Sequence, residues 1–362
     1  MNTVPKTLSL AAPDLHAFMI DLMMAAGASR KNAECAADVH LDADLKGVGV
    51  QGLDYLPYTL DSLERGLIDG RADPVVVSRR AASAVIDGRR GLGQSAAVAA
   101  VRLATELSGE AGSATVAVRN STDIFMIGHY AELLARAGKV GLVVTSGPPL
   151  VHPHGGTERL LSTNPIAFGF PRRGEDPYVF DMATSAIASS RVRQAMYEGT
   201  PLPEGSGRGP NGRATTDAAL VRQGAISPLA GHKGFGLALS IGLLCGPLTG
   251  SGIGPELAGW QASGDTRAQG HLFIAIDPAA FGDPQDIAAR ADWYLDIIKD
   301  SPKAPDQDGI RIPGERAAQV RRRQEKSGVK VLVATWKKVG AFADRLGVKT
   351  PDVSSEAVQV AS

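Results

Sequence analysis

The chain has 362 residues, 44% of them hydrophobic and 21% charged, an ordinary globular composition with room for one large or two interleaved domains. Lys and Arg number 38, as do Asp and Glu, so no basic footprint points to nucleic acid or to an acidic membrane surface. Cys35 and Cys245 stand far apart with no CxxC pair, which argues against a disulfide framework or a zinc site and fits a reducing cytoplasm.

The opening Met-Asn-Thr-Val-Pro-Lys lacks the apolar core of a signal peptide, and no run approaches the roughly 18 apolar residues of a membrane span. A cytoplasmic protein without membrane partners is the expectation. Leu15, Phe18, Met19, Leu22 and Met23 then form one apolar stripe at helical spacing, with Pro13 in the first turn and Gly27 as the stop. Ser29 starts a second helix that should end at Gly47, before a Gly- and Pro-punctuated stretch that runs to Gly70.

β-rich runs follow at Pro74 to Val77, Ala84 to Asp87, Ala114 to Val118, Val140 to Thr145 and His271 to Ile276. Helical stretches at Gln94 to Leu107 and Gly128 to Ala137 separate some of them, and this alternation predicts an α/β fold. Glu198 to Ala225 reads as a surface excursion, and Phe235 to Leu244 as a buried core helix. Arg321-Arg322-Arg323 reads as a solvated helix face, and Thr335 as the cap of a last helix. Helices at both ends should pack together, giving a helical subdomain of residues 1–75 and 300–362 around an α/β domain of 76–299.

Gly91-Leu-Gly93-Gln-Ser-Ala96 matches the GxGxxA form of a dinucleotide fingerprint. No acidic residue ends the next strand, which runs instead into Arg119-Asn120, so the reading here is a tight strand-to-helix turn.

Other segments are more specific as an ordered set. They are Val118-Arg-Asn-Ser-Thr122, Leu161-Ser-Thr-Asn-Pro-Ile-Ala-Phe168, Phe180-Asp-Met-Ala-Thr-Ser185, Gly231-His-Lys-Gly-Phe-Gly-Leu-Ala238, Gly270-His-Leu-Phe-Ile-Ala-Ile-Asp-Pro278 and Pro313-Gly-Glu315. Together they resemble the type-2 malate/L-lactate dehydrogenases, in that family's order and over most of the chain. The resemblance implies a non-Rossmann α/β fold with a central mixed sheet and a helical subdomain formed by both termini. It also implies a homodimer that moves hydride between NADPH or NADH and a small-molecule 2-oxo acid or related imine. It places the cofactor at Ser121, Thr163, Asn164, Pro165, Asp181, Met182, Ala183, Thr184, Ser185, His232, Lys233, Gly314 and Glu315. Short polar side chains at these positions suit ribose and amide contacts, and a cation at a helix start suits a pyrophosphate. Arg191, Arg193 and Arg316 are candidates for a 2′-phosphate, which tips the choice slightly toward NADPH.

Departures from the family pattern fall on the chemistry. Where Ser-His-Gly is typical, with an Arg four residues past the His, this chain has Val50-Gln51-Gly52 and Tyr55. Asp123 stands where a second histidine is usual, and Pro148-Pro149 occupy a loop position that some members make polar or basic. Gln51 cannot act as an acid at neutral pH, and Tyr55 offers one hydroxyl in place of a bidentate clamp. Asp123, Gln51 and Tyr55 are therefore the candidate catalytic residues. Three readings are open: reduction of an imine, with Asp123 facing a cationic nitrogen; a carbonyl reaction with the acid relocated to His129, His152 or His154; and a cofactor-binding or non-redox protein.

Overall fold

A computed structural model describes residues 7–174, 176–257 and 268–353. Strand β1 (Thr7–Leu10) leads into α1 (Ala12–Ala25) and α2 (Arg30–Leu45). The Ser29 hydroxyl caps α2 by accepting from the Asn32 amide at 3.3 Å. Two short 3₁₀ turns, Gly49–Gln51 and Leu53–Tyr55, carry the chain into α3 (Leu56–Glu64). Then come β2 (Val75–Arg79), β3 (Ser83–Asp87), α4 (Gly93–Ala111), β4 (Ser113–Ser121), α5 (Ile127–Arg136), β5 (Val140–Thr145), β6 (Ile166–Phe170) and β7 (Tyr178–Met182). Next are α6 (Ser189–Glu198), β8 (Gly207–Arg208), β9 (Ala214–Thr215), α7 (Ala218–Gln223), β10 (Ala225–Ile226) and α8 (His232–Cys245). The chain continues through β11 (Gln269–Ile276), α9 (Pro284–Asp300), α10 (Glu315–Ser327), β12 (Val329–Leu332) and α11 (Val333–Leu346).

The main sheet runs in the order β2-β3-β4-β11-β5-β6-β7. Only β3 and β4 pair in parallel, so the sheet is mixed. Strand alternation sends Val116, Val118, Val143 and Phe273 to the face covered by α4 and α5, where they meet Ala100, Ala104, Tyr130 and Leu134. The intervening Ala117, Val144 and Leu272 meet Ile241 and Cys245 of α8 on the other face.

Both ends of the described chain share a further core. Strand β1 pairs antiparallel with β12, and Leu15, Phe18, Met19 and Leu22 pack with Val329, Val331, Val339 and Ala343. Each large apolar side chain buried there contributes on the order of 2 kcal/mol.

Several local expectations are corrected. Strands β6 and β7 arise from segments that the sequence marks only by motif, and α9 is a further helix. The last helix starts at Val333, and Thr335 sits buried inside its first turn, donating to Asp54 Oδ1 at 2.8 Å. The excursion holds strands β8 and β9 of the small sheet β10-β8-β9 and buries Leu202, Ala218 and Val221 in a core shared with Val151, Leu161, Val192 and Ala238. Helix α8 buries one face only, because its other side leaves Leu239 and Leu243 exposed. Arg321 turns inward to Asp42 Oδ1 at 3.0 Å, so the arginine run is not a uniformly solvated face.

Candidate active site

The loop Gly49–Tyr55 brings Gln51 and Tyr55 to one end of a cleft of about 860 Å³, lined there also by Tyr58, Asp123, Phe125 and the Pro148-Pro149 turn. That size lies within the usual range for ligand pockets, about 300–1,000 Å³. Gly52 lies against Asp44 so closely that a Cβ there would fall 2.3 Å from the Asp44 carboxyl carbon. The buried Asp44 carboxylate accepts from the Leu53 amide at 2.8 Å, and burial pushes its pKa up to about 8. The Gln51 carbonyl meets His40 Nδ1 at 2.9 Å, while its buried side-chain Oε1 has no partner.

Asp123 sits on a turn fixed from several sides. The Gly93 amide donates to Thr122 Oγ1 at 3.0 Å, and that hydroxyl donates to the Gly91 carbonyl at 2.9 Å. A Cβ on Gly93 would stand 2.4 Å from the Thr122 carbonyl oxygen, so these glycines serve close packing, as a tight turn requires. His271 Nε2 reaches the Thr122 carbonyl at 3.1 Å, and the Tyr130 hydroxyl donates to the Ile124 carbonyl at 2.8 Å. Burial raises the Asp123 carboxyl above the ordinary carboxylate range, although the amides of Phe125 and Ile124 donate to it.

Phe125 adopts φ +59°, a left-handed conformation costly for a bulky residue and characteristic of functional turns. Its ring lies 4.9 Å from Tyr55 and 4.6 Å from His40. Burial, followed by the Asp123 charge, raises the Tyr55 hydroxyl above its usual pKa, while Arg193 and Arg222 oppose that shift.

Another part of the cleft wall is ionic. Lys46, on the cleft wall, donates to Asp42 Oδ2 at 2.6 Å and to Glu132. His129 Nδ1 meets the same Asp42 oxygen at 2.7 Å, which places this histidine half-buried against α2 rather than on a helix surface. Burial works against Asp42, but the contacts from His129 and Lys46 prevail and hold its carboxyl below the usual range.

A family profile described as malate/L-lactate dehydrogenase matches residues 10–340. The chain belongs to that family. It is 33% identical to the L-sulfolactate dehydrogenase of Methanocaldococcus jannaschii over 92% of this chain and 96% of that protein. It is 36% identical to the (2R)-3-sulfolactate dehydrogenase (NADP(+)) of Chromohalobacter salexigens over 84% of this chain and 89% of that one. Among solved structures, the delta1-piperideine-2-carboxylate reductase of Pseudomonas syringae pvar. tomato superposes with a TM-score of 0.80 at 31% identity, covering 92% of this chain and 99% of that one.

This member of the malate/L-lactate dehydrogenase family is thus a dehydrogenase or reductase, of the family's α/β fold, acting on a small molecule. The family works with nicotinamide cofactors, and one relative carries NADP(+) in its name. Among the described residues no helix is long and apolar enough to cross a membrane.

Gln51, Tyr55, Asp123, Thr163, Pro165, Asp181, Met182, Ala183 and Gly314 line the one cleft. Asp181 borders open space yet is ringed by protein; burial pushes its carboxyl to about 6 against the Gly128 amide and Lys46, which pull it down. Seven candidates lie outside the lining. Asn164 Nδ2 donates to the Ala238 carbonyl at 2.7 Å, and Thr184 Oγ1 donates to the Thr163 carbonyl at 2.9 Å, so both brace the cleft wall from behind. The hydroxyls of Ser121 and Ser185 bond to the carbonyls of Thr122 and Ile187. His232 and Lys233 are exposed at the start of α8, where the His232 ring lies 6.0 Å from that of His154. Glu315 accepts from the Ile312 amide at 3.3 Å and pairs with Lys299.

Of the 2′-phosphate candidates, Arg316 lines the cleft beside Gly314, Arg193 is paired with Asp54, and Arg191 bonds Gln194 outside the lining. Lys46, Phe125, Ser146 and Arg222 also line the cleft, and nothing in local sequence marks them. The contact of Lys46 with Glu132 exists only once distant segments meet.

Proposed function

We propose that this chain uses NADPH or NADH, with NADPH preferred, to reduce a C=N bond or an atypical carbonyl rather than a simple 2-oxo acid. The observation that carries this reading is the half-buried Asp123 carboxyl, which lines the cleft with Gln51, Tyr55, Tyr58 and Phe125. A carboxyl whose pKa is raised by its surroundings keeps or shares its proton to higher pH than an ordinary carboxylate does. An imine nitrogen arrives protonated or takes that proton from Asp123, so the loss of a histidine acid is tolerated.

The cleft suits the cofactor. Gln51 Oε1 and Ser146 Oγ are buried there without partners, which favours a ligand that brings hydrogen-bond donors. Thr163, Pro165, Asp181, Met182, Ala183 and Gly314 would hold the nucleotide, and Arg316 would meet a 2′-phosphate. A bound nicotinamide supplies hydride. Asp123 would balance the positive charge of the protonated imine nitrogen, a charge that the π pair cancels once hydride is delivered to the carbon. Tyr55 and Phe125 keep water from this end.

The solved reductase with a piperideine-carboxylate in its name supports a C=N substrate on this fold. The alternative of a relocated histidine acid has less support. His129 bonds Asp42, and both ring nitrogens of His152 have partners, the Pro153 carbonyl at 2.8 Å and Ser227 Oγ at 3.1 Å. None of His129, His152 and His154 lines the cleft.

We also read the chain as a cytoplasmic homodimer. The supporting feature is apolar surface on α8 and α9, where Leu243 is 51% and Trp293 59% exposed.

The test is an assay of NADPH and NADH consumption with cyclic imines against pyruvate and oxaloacetate. Turnover on imines alone is the expected result. Nucleotide binding with no turnover on any of them would favour a protein that has lost redox catalysis. In the double variant Gln51→His, Tyr55→Arg, recovered 2-oxo acid reduction is expected if only specificity has moved.

A further inference from the structure

Arg193 and Arg222 line the same cleft as Asp123. Arg193 on α6 donates to Asp54 Oδ2 at 2.9 Å, and its charge is matched there. Arg222 on α7 lines the same cleft, and no carboxylate partner for it occurs among the described residues. Its backbone is held: the Arg159 guanidinium donates to the carbonyls of both Arg222 and Gly224. Asp217 caps the other end of α7 by accepting from the amides of Ala219 and Leu220 at 2.8 and 3.1 Å. Arg222, Asp123 and Tyr55 line one cleft.

An unmatched cation and an acid lining one cleft complement a ligand with the opposite pair of charges. A neutral imine would leave the guanidinium without a partner. A dianionic 2-oxo acid would bring a second negative charge toward Asp123 and meet only one unpaired arginine. We infer that Arg222 is the anion anchor of the substrate pocket, holding the carboxylate of an imine whose nitrogen faces Asp123. The nitrogen half rests on the imine reading above; the anion half stands on Arg222. A guanidinium binds a carboxylate through two parallel N–H donors, so the contact would also fix the orientation of the C=N bond.

Three ligands separate the two halves: a cyclic imine with a carboxylate on the imine carbon, the same ring without it, and cyclopentanecarboxylate, which has no C=N to reduce. Wild-type protein saturated with NADPH should prefer the carboxylated imine. Arg222→Ala should raise KM for that imine, and Kd for cyclopentanecarboxylate, about tenfold to a hundredfold. The kcat/KM for the bare ring should stay within about twofold, and Arg222→Lys should restore part of the carboxylate affinity. If Arg222→Ala impairs both rings alike, or leaves carboxylate binding unchanged, the anchor is overturned whatever the reaction. If no imine is reduced yet cyclopentanecarboxylate still binds through Arg222, the anchor stands and the imine reading falls.

Discussion

The Gly128 amide donates a 2.8 Å hydrogen bond to Asp181 Oδ2, joining the first turn of α5 to the end of β7 across the cleft wall. A Cβ at position 128 would stand 2.9 Å from that oxygen and 3.0 Å from the Asp181 Cβ, so any side chain there displaces the carboxylate. Gly128→Ala should weaken NADPH binding about tenfold, a loss of roughly one charge-assisted hydrogen bond, with the fold intact by circular dichroism. Unchanged affinity by calorimetry would detach Asp181 from the nucleotide.

Asp123 and an imine nitrogen would share one proton, and reduction needs it. The rate should therefore hold at low pH and fall as pH rises past the point where the pair loses that proton. Because burial raises the Asp123 carboxyl, this point lies above the ordinary carboxylate range. Asp123→Asn should lower kcat about a hundredfold to ten-thousandfold and flatten the profile. Wild-type rates on imines in this variant would remove Asp123 from the chemistry.

Arg316→Ala tests the cofactor preference. Arg316 lines the cleft next to Gly314, where the left-handed φ of +94° turns the chain against Val179. NADPH affinity should drop about tenfold or more while NADH affinity changes little, because only NADPH brings a phosphate dianion to that arginine. An equal loss for both nucleotides would assign Arg316 another role.

Asp44 makes stability depend on pH. Its carboxyl has an ordinary pKa of 3.8 in the unfolded chain and about 8 in the fold. Between those values the folded protein holds a proton that the unfolded chain has lost. Its contribution is thus complete below about 3.8 and is lost as pH rises toward 8. The unfolding free energy from urea titration should fall over this window, by on the order of 1 kcal/mol per pH unit. Asp44→Asn, which keeps an acceptor for the Leu53 amide, should flatten the slope; an unaltered slope would show that another group dominates.

Leu243→Asp places a charge on the exposed face of α8. Sedimentation should show a dimer for the wild-type chain and a monomer for the variant, since a charge buried in an apolar interface is left without a partner. A dimer that persists in Leu243→Asp would move the interface off this face.

The sequence by itself determined the α/β class, the strands around Val116 and Val143, the first two helices, and membership in the family. Those features depend on local periodicity or on ordered short motifs, both of which survive as strings of residues. It also singled out Gln51, Tyr55 and Asp123, because substitutions stand out against an otherwise regular motif. Only the tertiary structure decided which of the cofactor candidates line the cleft and which, such as Asn164 and Thr184, brace it from behind. The same holds for Lys46 meeting Glu132, and for Arg222 lining the cleft of Asp123 with no carboxylate partner among the described residues. Solvation and pairing of a charge depend on groups tens or hundreds of residues away in the chain, as with Arg321 and Asp42. Only packing fixes those distances.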